Sequence, residues 1–450
     1  MKKILAVVLA LVILTSLVLS GCGSKEEATT GEPAKEEAKT EAVKKEEPPK
    51  KVSLRVVWWG SQSRADKTKG VLDMFAASNA GVTFETEFTD FKGYWDKMAT
   101  FAASNSLPDV MQQDYAYIGQ YAVKGLLEDL NPYIQDKKLN TADISENAIS
   151  SGNIDGKLVG ISLGINTHNV LYDVAAFEKA GVAVPGNDWT WDDYEKTAVA
   201  IHSKTKVQSS LPFVTDPKFL MEYWLRSAGK SMYASDGTAL GFDDPQLLIS
   251  LFEAEQKLMK TGAIFKPSAE IMIKATEENP LVVGKSAMGF SWSNFVVPFT
   301  AAAKRPLGSA VLPKAPSGDK PAMYLKPSMF FSVAKTSQNK ELAVKLIDLF
   351  TNDVEANKVL MADRGVPISS KVRDQLKTLV DPATKISFEY LDVASQYTGP
   401  IDPPEPAGAP EITKLAQTVN DEVVNNKTSP QDAAAKFMKQ ANDILAKNKK

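Results

Sequence analysis

The five residues Gly160-Ile161-Ser162-Leu163-Gly164 have the G-x-S-x-G spacing in which a serine can be presented as a nucleophile on a sharp strand-to-helix turn. Such a serine needs a histidine to take its proton, normally with an acid between the two in chain order. The chain has two histidines, His168 and His202. His168 follows Ser162 too closely for an intervening acid, and Ser162 sits inside an alternating, extended run, so the residues argue against a serine hydrolase. Two histidines and a single cysteine leave little for zinc, and no HExxH, P-loop or GxGxxG spacing occurs. No metal and no cofactor is therefore expected. A glycosidase's paired carboxylates leave no trace in sequence, and that class stays open as an alternative.

A second chemistry recurs at predicted strand ends, where aromatic rings stand beside Asn, Gln and Asp. A sugar ring has an apolar C–H face and a polar rim, so it calls for an aromatic platform edged by groups that both donate and accept. Trp58, Trp59, Ser61 and Gln62 lie at the end of the first predicted strand, and Gln112, Gln113, Asp114 and Tyr115 at that of the third. Adjacent strand residues point to opposite faces, so Trp58 and Trp59 cannot serve the same surface. Either both are core, or the one nearer a cleft is a platform.

The elements that must position these residues read as alternating strands and helices. Val52–Trp59 is a buried strand, 65–78 a helix, Val82–Phe88 a strand, 94–104 a helix, 107–111 a strand and 115–124 a helix ended by Gly125. That alternation predicts parallel sheets with ligands beyond the strand carboxyl ends. The segment Gly152–Gly181 carries a turn at Asp155-Gly156, a long extended run from Leu158 to Tyr172, and a helix stopped by Gly181. So long a run is expected to carry the chain from one lobe to another past a cleft. Farther on, 189–194 caps a helix, Leu211–Val214 reads as a strand, 219–228 and 245–261 as helices, and 283–292 as a strand. A periodic helix covers 340–362, a Pro-rich loop 399–410, and two helices 411–426 and 429–447.

At 450 residues the chain suggests two or three domains by a prior of roughly 150 residues each. With 24% charged and 44% apolar residues and a formal charge of −3, it has the make-up of a globular protein without the basic stripe that nucleic acid requires. Lys2 and Lys3 precede an apolar run, Ile4 to Leu19, that is short for a bilayer span of ~20 residues. Leu19-Ser20-Gly21-Cys22 resembles the lipobox of bacterial lipoproteins. It implies a signal peptide over 1–21 and a lipid thioether on Cys22, with two acyl chains enough to tether a protein to a membrane. Residues 22–51 are rich in Lys, Glu, Ala, Thr and Pro and lack aromatics, which predicts a disordered tether.

Strings in seven groups, two of them pairs, are together similar to one family. They are WWG at Trp58, LPDV at Leu107 with GLLEDLNPYI from Gly125, GKLVGISLG with VLYDVAAFEKAGV, WTWDDYEKTA from Trp189, GKSAM from Gly284, NKELAVKLIDLFTN, and RGVPIS. The chain resembles the extracellular solute-binding lipoproteins that deliver carbohydrates to ABC importers, the group that includes maltodextrin-binding proteins. The resemblance runs from Val52 onward. It implies an α/β fold of two lobes, each a mostly parallel sheet flanked by helices, joined by three hinge crossings near 164–167, 309–313 and 367–371. Lobe 1 would comprise 52–165 plus 313–367, and lobe 2 166–312 plus 368–450. Tyr172-Asp173 and Ser162 stand where the family often has Tyr-Asn and proline, which weakens ligand transfer by analogy.

The resemblance also implies the ligand positions: Trp59, Gln62, Arg64, Gln113, Asp114, Asn166, His168, Tyr223, Trp224, Trp292, Asn294, Lys326 and Arg364. Of these, Arg64, Lys326 and Arg364 would favour an acidic sugar. WWGSQSR, GYWDK and the QQDYAYIGQYA run resemble binding proteins for pectin-derived, uronate-bearing oligosaccharides, with neutral hemicellulose oligosaccharides as the rival. The implied setting is a monomer on the outer face of a Gram-positive cell membrane, partnered by the transmembrane permease of an importer. It would bind sugar and perform no catalysis. An adhesive lipoprotein would predict repeats, and none is evident.

Overall fold

The computed structural model describes residues 51–210, 217–265 and 276–448. The expected signal segment, the lipid site at Cys22, the tether up to Lys50 and the strand Leu211–Val214 lie outside the described residues.

Strands β1 (Val52–Trp59), β2 (Val82–Thr89) and β3 (Val110–Gln113) are followed by two short strands, β4 (Asn153–Ile154) and β5 (Lys157–Leu158). Then come β6 (Ile161–Asn166), β7 (His168–Asp173), β8 (Met288–Trp292), β9 (Leu307–Ala310), β10 (Met323–Tyr324), β11 (Lys326–Val333) and β12 (Thr398–Gly399). One sheet has the order β2-β1-β3-β11-β6 and another β8-β7-β9. The first three strands are parallel, connected by the helices Gln62–Ser78 and Phe91–Ala103. Their first turns are capped by Ser61, whose hydroxyl accepts from the Arg64 amide, and Asp90, which accepts from Lys92 and Gly93, each cap contributing about 1 kcal/mol.

The α/β class is as expected, with four of the five strands of the larger sheet running alike, and in each sheet one strand runs against its neighbours. β11 runs antiparallel to both β3 and β6, and β7 runs antiparallel to both β8 and β9. In each sheet one strand from a distant part of the chain is inserted between two that run alike. Alternation of strand and helix reports that β8 and β9 point the same way, but not that β7 lies between them. A second difference is local: the expected helix 340–362 is two, Lys340–Asn352 and Val354–Leu360, broken where Asp353 leaves helical dihedrals and caps the second through the Ala356 amide.

The segment 152–181 is built as a passage. Asp155 (φ 51°) and Gly156 (φ 78°) both take the left-handed turn conformation that suits a two-residue hairpin joining β4 to β5. The chain then leaves the five-stranded sheet at the end of β6 and enters the three-stranded sheet at β7, with only Thr167 between. Gly181 (φ 59°) ends the helix Val174–Ala180. Ser162 is buried and its hydroxyl donates to the Gly164 carbonyl at 2.7 Å, so it is not presented as a nucleophile. A Cβ on Gly164 would collide with the backbone carbonyl of Arg364. Gly164→Ala is therefore expected to cost about 2 kcal/mol, read as a lowered midpoint in chemical denaturation.

Each sheet has its own core, giving two lobes. The first gathers Leu54, Val56, Trp58, Phe331 and Ile347, with Val372 and Leu376 from a later helix. The second gathers Phe177, Tyr194, Trp224, Phe252 and Phe437, with Ala315 and Met323. The helix Pro382–Ala394 stands between them, giving Phe388 and Leu391 to the first core and Tyr390 and Ala394 to the second. Among the described residues no helix is long and apolar enough to cross a membrane, and no acidic, histidine and cysteine cluster could hold a metal ion.

Candidate functional site

A cavity of about 790 Å³ opens where the two sheets meet. The first lobe contributes Asp114, Tyr115, Asn166, Lys326 and Ser328, and the second Glu222, Met232, Tyr233, Trp292 and Asn294. The Pro-rich loop closes one side with Ile401 to Pro406.

The positioning follows from strand register. Asn166 ends β6 and pairs across the sheet with Lys326, the first residue of β11. His168 starts β7 and pairs with Trp292, the last of β8. The single-residue passage at Thr167 thus brings one polar pair and one aromatic pair together at the lobe boundary. The Thr167 hydroxyl donates to the Tyr324 carbonyl at 2.7 Å, and its amide donates to the Ser293 hydroxyl at 3.1 Å, which stiffens that junction.

His168 is a buttress and does not line the cavity. Its ring lies 3.5 Å, centroid to centroid, from both Phe219 and Trp292. Burial pushes the imidazole well below its usual range, and the nearby Lys326 and Arg226 charges add to this, so it is neutral. Trp292 carries the Lys326 ammonium 4.9 Å from its ring centroid. The Oδ1 atom of Asn166 is buried without a hydrogen-bond partner among the described residues.

The Pro-rich loop is held by charge. Tyr115 on the first lobe donates its hydroxyl to the Asp402 carbonyl at 2.5 Å. Arg226 meets the Asp402 carboxylate at 2.8 Å and the Pro400 carbonyl at 2.7 Å. The Lys218 ammonium sits between Glu222 (2.6 Å) and Glu405 (2.5 Å). Burial alone would lower the Lys218 pKa, but its two carboxylate partners outweigh that and hold it above the ordinary lysine range. Burial, reinforced by Asp402, likewise raises the Tyr115 phenol.

Of the residues expected from the sequence, Asp114, Asn166, Trp292, Asn294 and Lys326 line this cavity. The others are placed elsewhere. Trp58 stacks on Phe88 and Trp59 packs against Phe91, Tyr94 and Trp95, so both tryptophans are core and neither is an open platform. Gln62 is exposed on the first turn of its helix and donates to Asp66. Gln113 is buried on β3, with neither side-chain polar atom partnered among the described residues. Tyr223 donates to the Pro313 carbonyl from within the second lobe, and the Trp224 indole donates to Ser250 from its core. Arg64 pairs with Asp363 at 2.7 Å, while the buried Arg364 bonds Gln112 and Thr68.

Sequence reasoning missed Glu222, Tyr233, Tyr324, Asp402 and Glu405 as cavity residues. The one available signal lay in the loop itself, where acids interleave with prolines in Asp402-Pro403-Pro404-Glu405-Pro406. A stiff charged loop fits a wall better than a linker.

The model for bacterial extracellular solute-binding proteins matches residues 70–385. Among solved structures, an extracellular solute-binding protein family 1 member from Alicyclobacillus acidocaldarius is 32% identical with a TM-score of 0.81, covering 89% of this chain and 100% of its own. An oligogalacturonide-binding protein from Yersinia enterocolitica is 19% identical with a TM-score of 0.74, covering 88% of this chain and 100% of its own. A cyclic alpha-maltosyl-1,6-maltose binding protein from Arthrobacter globiformis is 19% identical with a TM-score of 0.69, again covering 88% and 100%. The last two, at this identity, speak to the fold alone. With the two-lobed fold and the inter-lobe cavity in place, the match over most of the chain means that it belongs to the bacterial extracellular solute-binding protein family.

Proposed function

We propose that the protein captures an oligosaccharide in the cavity between its lobes and hands it to the permease of an ABC importer, held at the outer membrane face by a lipid on Cys22. The observation that carries the sugar reading is the composition of the cavity. Trp292, Tyr115 and Tyr233 supply ring faces, and Asn166, Asn294 and Lys326 supply donors and acceptors, from both lobes at once. A ligand touching both lobes favours their closed arrangement by its differential affinity, and that arrangement is what a permease would read. Closure would pivot on three passages between the lobes, the first at Thr167. The packing of Met323 against the second core and Leu325 against the first supports a second passage there. The helix Pro382–Ala394, which feeds both cores, supports a third.

No covalent step is needed. Each described acid in the wall has a structural partner: Glu222 and Glu405 share Lys218, Asp402 meets Arg226, and Asp114 caps a helix through the Ala116 amide. That supports binding without catalysis.

The test is a thermal-shift panel of oligosaccharides on the mature chain, with product analysis of the same mixtures. Intact sugar that raises the melting temperature supports the reading through the linkage of binding to stability. Product release would make the protein an enzyme, and a panel that neither shifts melting nor changes tryptophan emission would overturn the sugar reading. Within it, Asn166→Ala is expected to weaken binding about tenfold, the cost of one buried hydrogen bond, with melting of the free protein little changed. Unaltered affinity in titration calorimetry would move the contact away from β6.

A further inference from the structure

We infer that the cavity selects uncharged oligosaccharides and turns uronate-bearing ones away. This rests on the oligosaccharide reading above and adds the charge of the ligand. Among the described residues, the wall carries four carboxylates, Asp114, Glu222, Asp402 and Glu405, against one cation, Lys326.

The two cations directly behind that wall are already engaged. Lys218 is clamped between Glu222 and Glu405 with its side chain 8% exposed. Arg226, equally buried, is spread over Asp402 and the carbonyls of Ala322 and Pro400. Counting these two with Lys326, three positive charges face four negative ones among the described residues, a balance slightly to the acidic side before any ligand enters.

Hydroxyl groups suit such a wall. Each can donate to a carboxylate and accept from Lys326 or Asn294, whereas the carboxylate that a uronate carries in place of one hydroxymethyl group only accepts. The Asn166 Oδ1 points the same way: among the described residues it is a buried acceptor without a donor, which a hydroxyl supplies and a carboxylate cannot. A uronate entering here would lose water while facing like charges in a partly enclosed space. The cations that would have compensated it are elsewhere. Arg64 is paired with Asp363 on the first lobe, and Arg364 is buried against Gln112 and Thr68. Among the described residues Lys326 alone remains, and its ammonium rests over Trp292.

The experiment compares matched sugars by titration calorimetry at low and high salt: xylo-oligosaccharides with and without a glucuronate branch, and galactobiose beside digalacturonate. The expected result is that at least one neutral sugar binds and its uronate counterpart binds about tenfold or more weakly, with the gap narrowing as salt screens the wall. In the double variant Asp114→Asn/Glu405→Gln, which keeps a capping side chain and leaves Lys218 one partner, that ratio should shrink by about tenfold. A uronate that binds more tightly than its neutral counterpart overturns the inference while leaving the sugar reading intact. If neither series binds and the wider oligosaccharide panel shifts no melting either, the sugar reading itself falls and takes this inference with it.

Discussion

Glu255→Gln is expected to stabilise the protein by about 3 kcal/mol at pH 7, with the gain vanishing below about pH 4.5. Glu255 lies on the helix Gln246–Lys260, fully buried in the second core, and its only described polar partner is the Asn420 amide, which donates to both carboxylate oxygens at 2.9 and 2.8 Å. Burial pushes its pKa from the ordinary 4.5 up to about 8, with the Asn420 hydrogen bond opposing this only in part. Between these values the native state holds a proton that the unfolded chain has released. Stability attributable to this group is therefore full below pH 4.5 and is lost as pH rises through about 8. Each pH unit in that window costs about 1.4 kcal/mol, and a neutral amide of the same shape removes the cost. His168 slopes the other way, since its depressed pKa makes acid destabilising below about 6.5, but that contribution is common to both proteins and cancels in the difference. Urea denaturation of parent and variant at pH 4.5, 6, 7 and 8 measures it. Curves that stay parallel across this range would show that Glu255 is ionised in the native protein, contrary to its packing.

What was legible in the sequence was what local physics encodes. Capping residues, the Asp155-Gly156 turn, the Gly181 stop and the run of β-branched residues in β1 place elements to within a few residues, because each acts on its own neighbourhood. The passage through 152–181 was readable for the same reason: an alternating stretch too long for one strand has to serve two sheets. Strand sense was not readable, because nothing near β7 or β11 states which strands will flank them. The site divides along the same line. Asn166, Trp292 and Lys326 came through the family resemblance, and in the structure they end or begin strands at the lobe boundary. Trp59, Tyr223, Trp224 and Arg364 have the right chemistry on the wrong face, and a face is decided by partners from other elements, tens of residues away for the three aromatics and hundreds for Arg364. Arg364 shows this best, for its guanidinium is turned inward to Thr68 and Gln112 by contacts spanning most of the first lobe. The acids of the Pro-rich loop went unnoticed because only folding brings them to Lys218 and Arg226.

That distinction between right chemistry and right face can be measured on two tryptophans. Trp224 is wholly buried in the second core, edge-on to Trp191, with its indole donating to Ser250. Trp224→Ala leaves a cavity that packed helices cannot refill, so a loss of about 3–5 kcal/mol in stability is expected, with sugar affinity of the folded fraction little changed. Trp292 is only partly buried; one neighbour is the His168 ring, and the cavity is another. Its truncation should cost less in stability, about 1–2 kcal/mol, and more in binding, about 100-fold, since an aromatic anchor in a desolvated pocket dominates recognition. The two losses should therefore cross: large ΔΔG of unfolding with small change in Kd for Trp224, and the reverse for Trp292. Denaturation and calorimetry on the same preparations give both. If Trp224→Ala melts within a few degrees of the parent yet loses its ligand, the indole reaches the sugar after all, and the binding surface extends beneath the helix Pro217–Ser227.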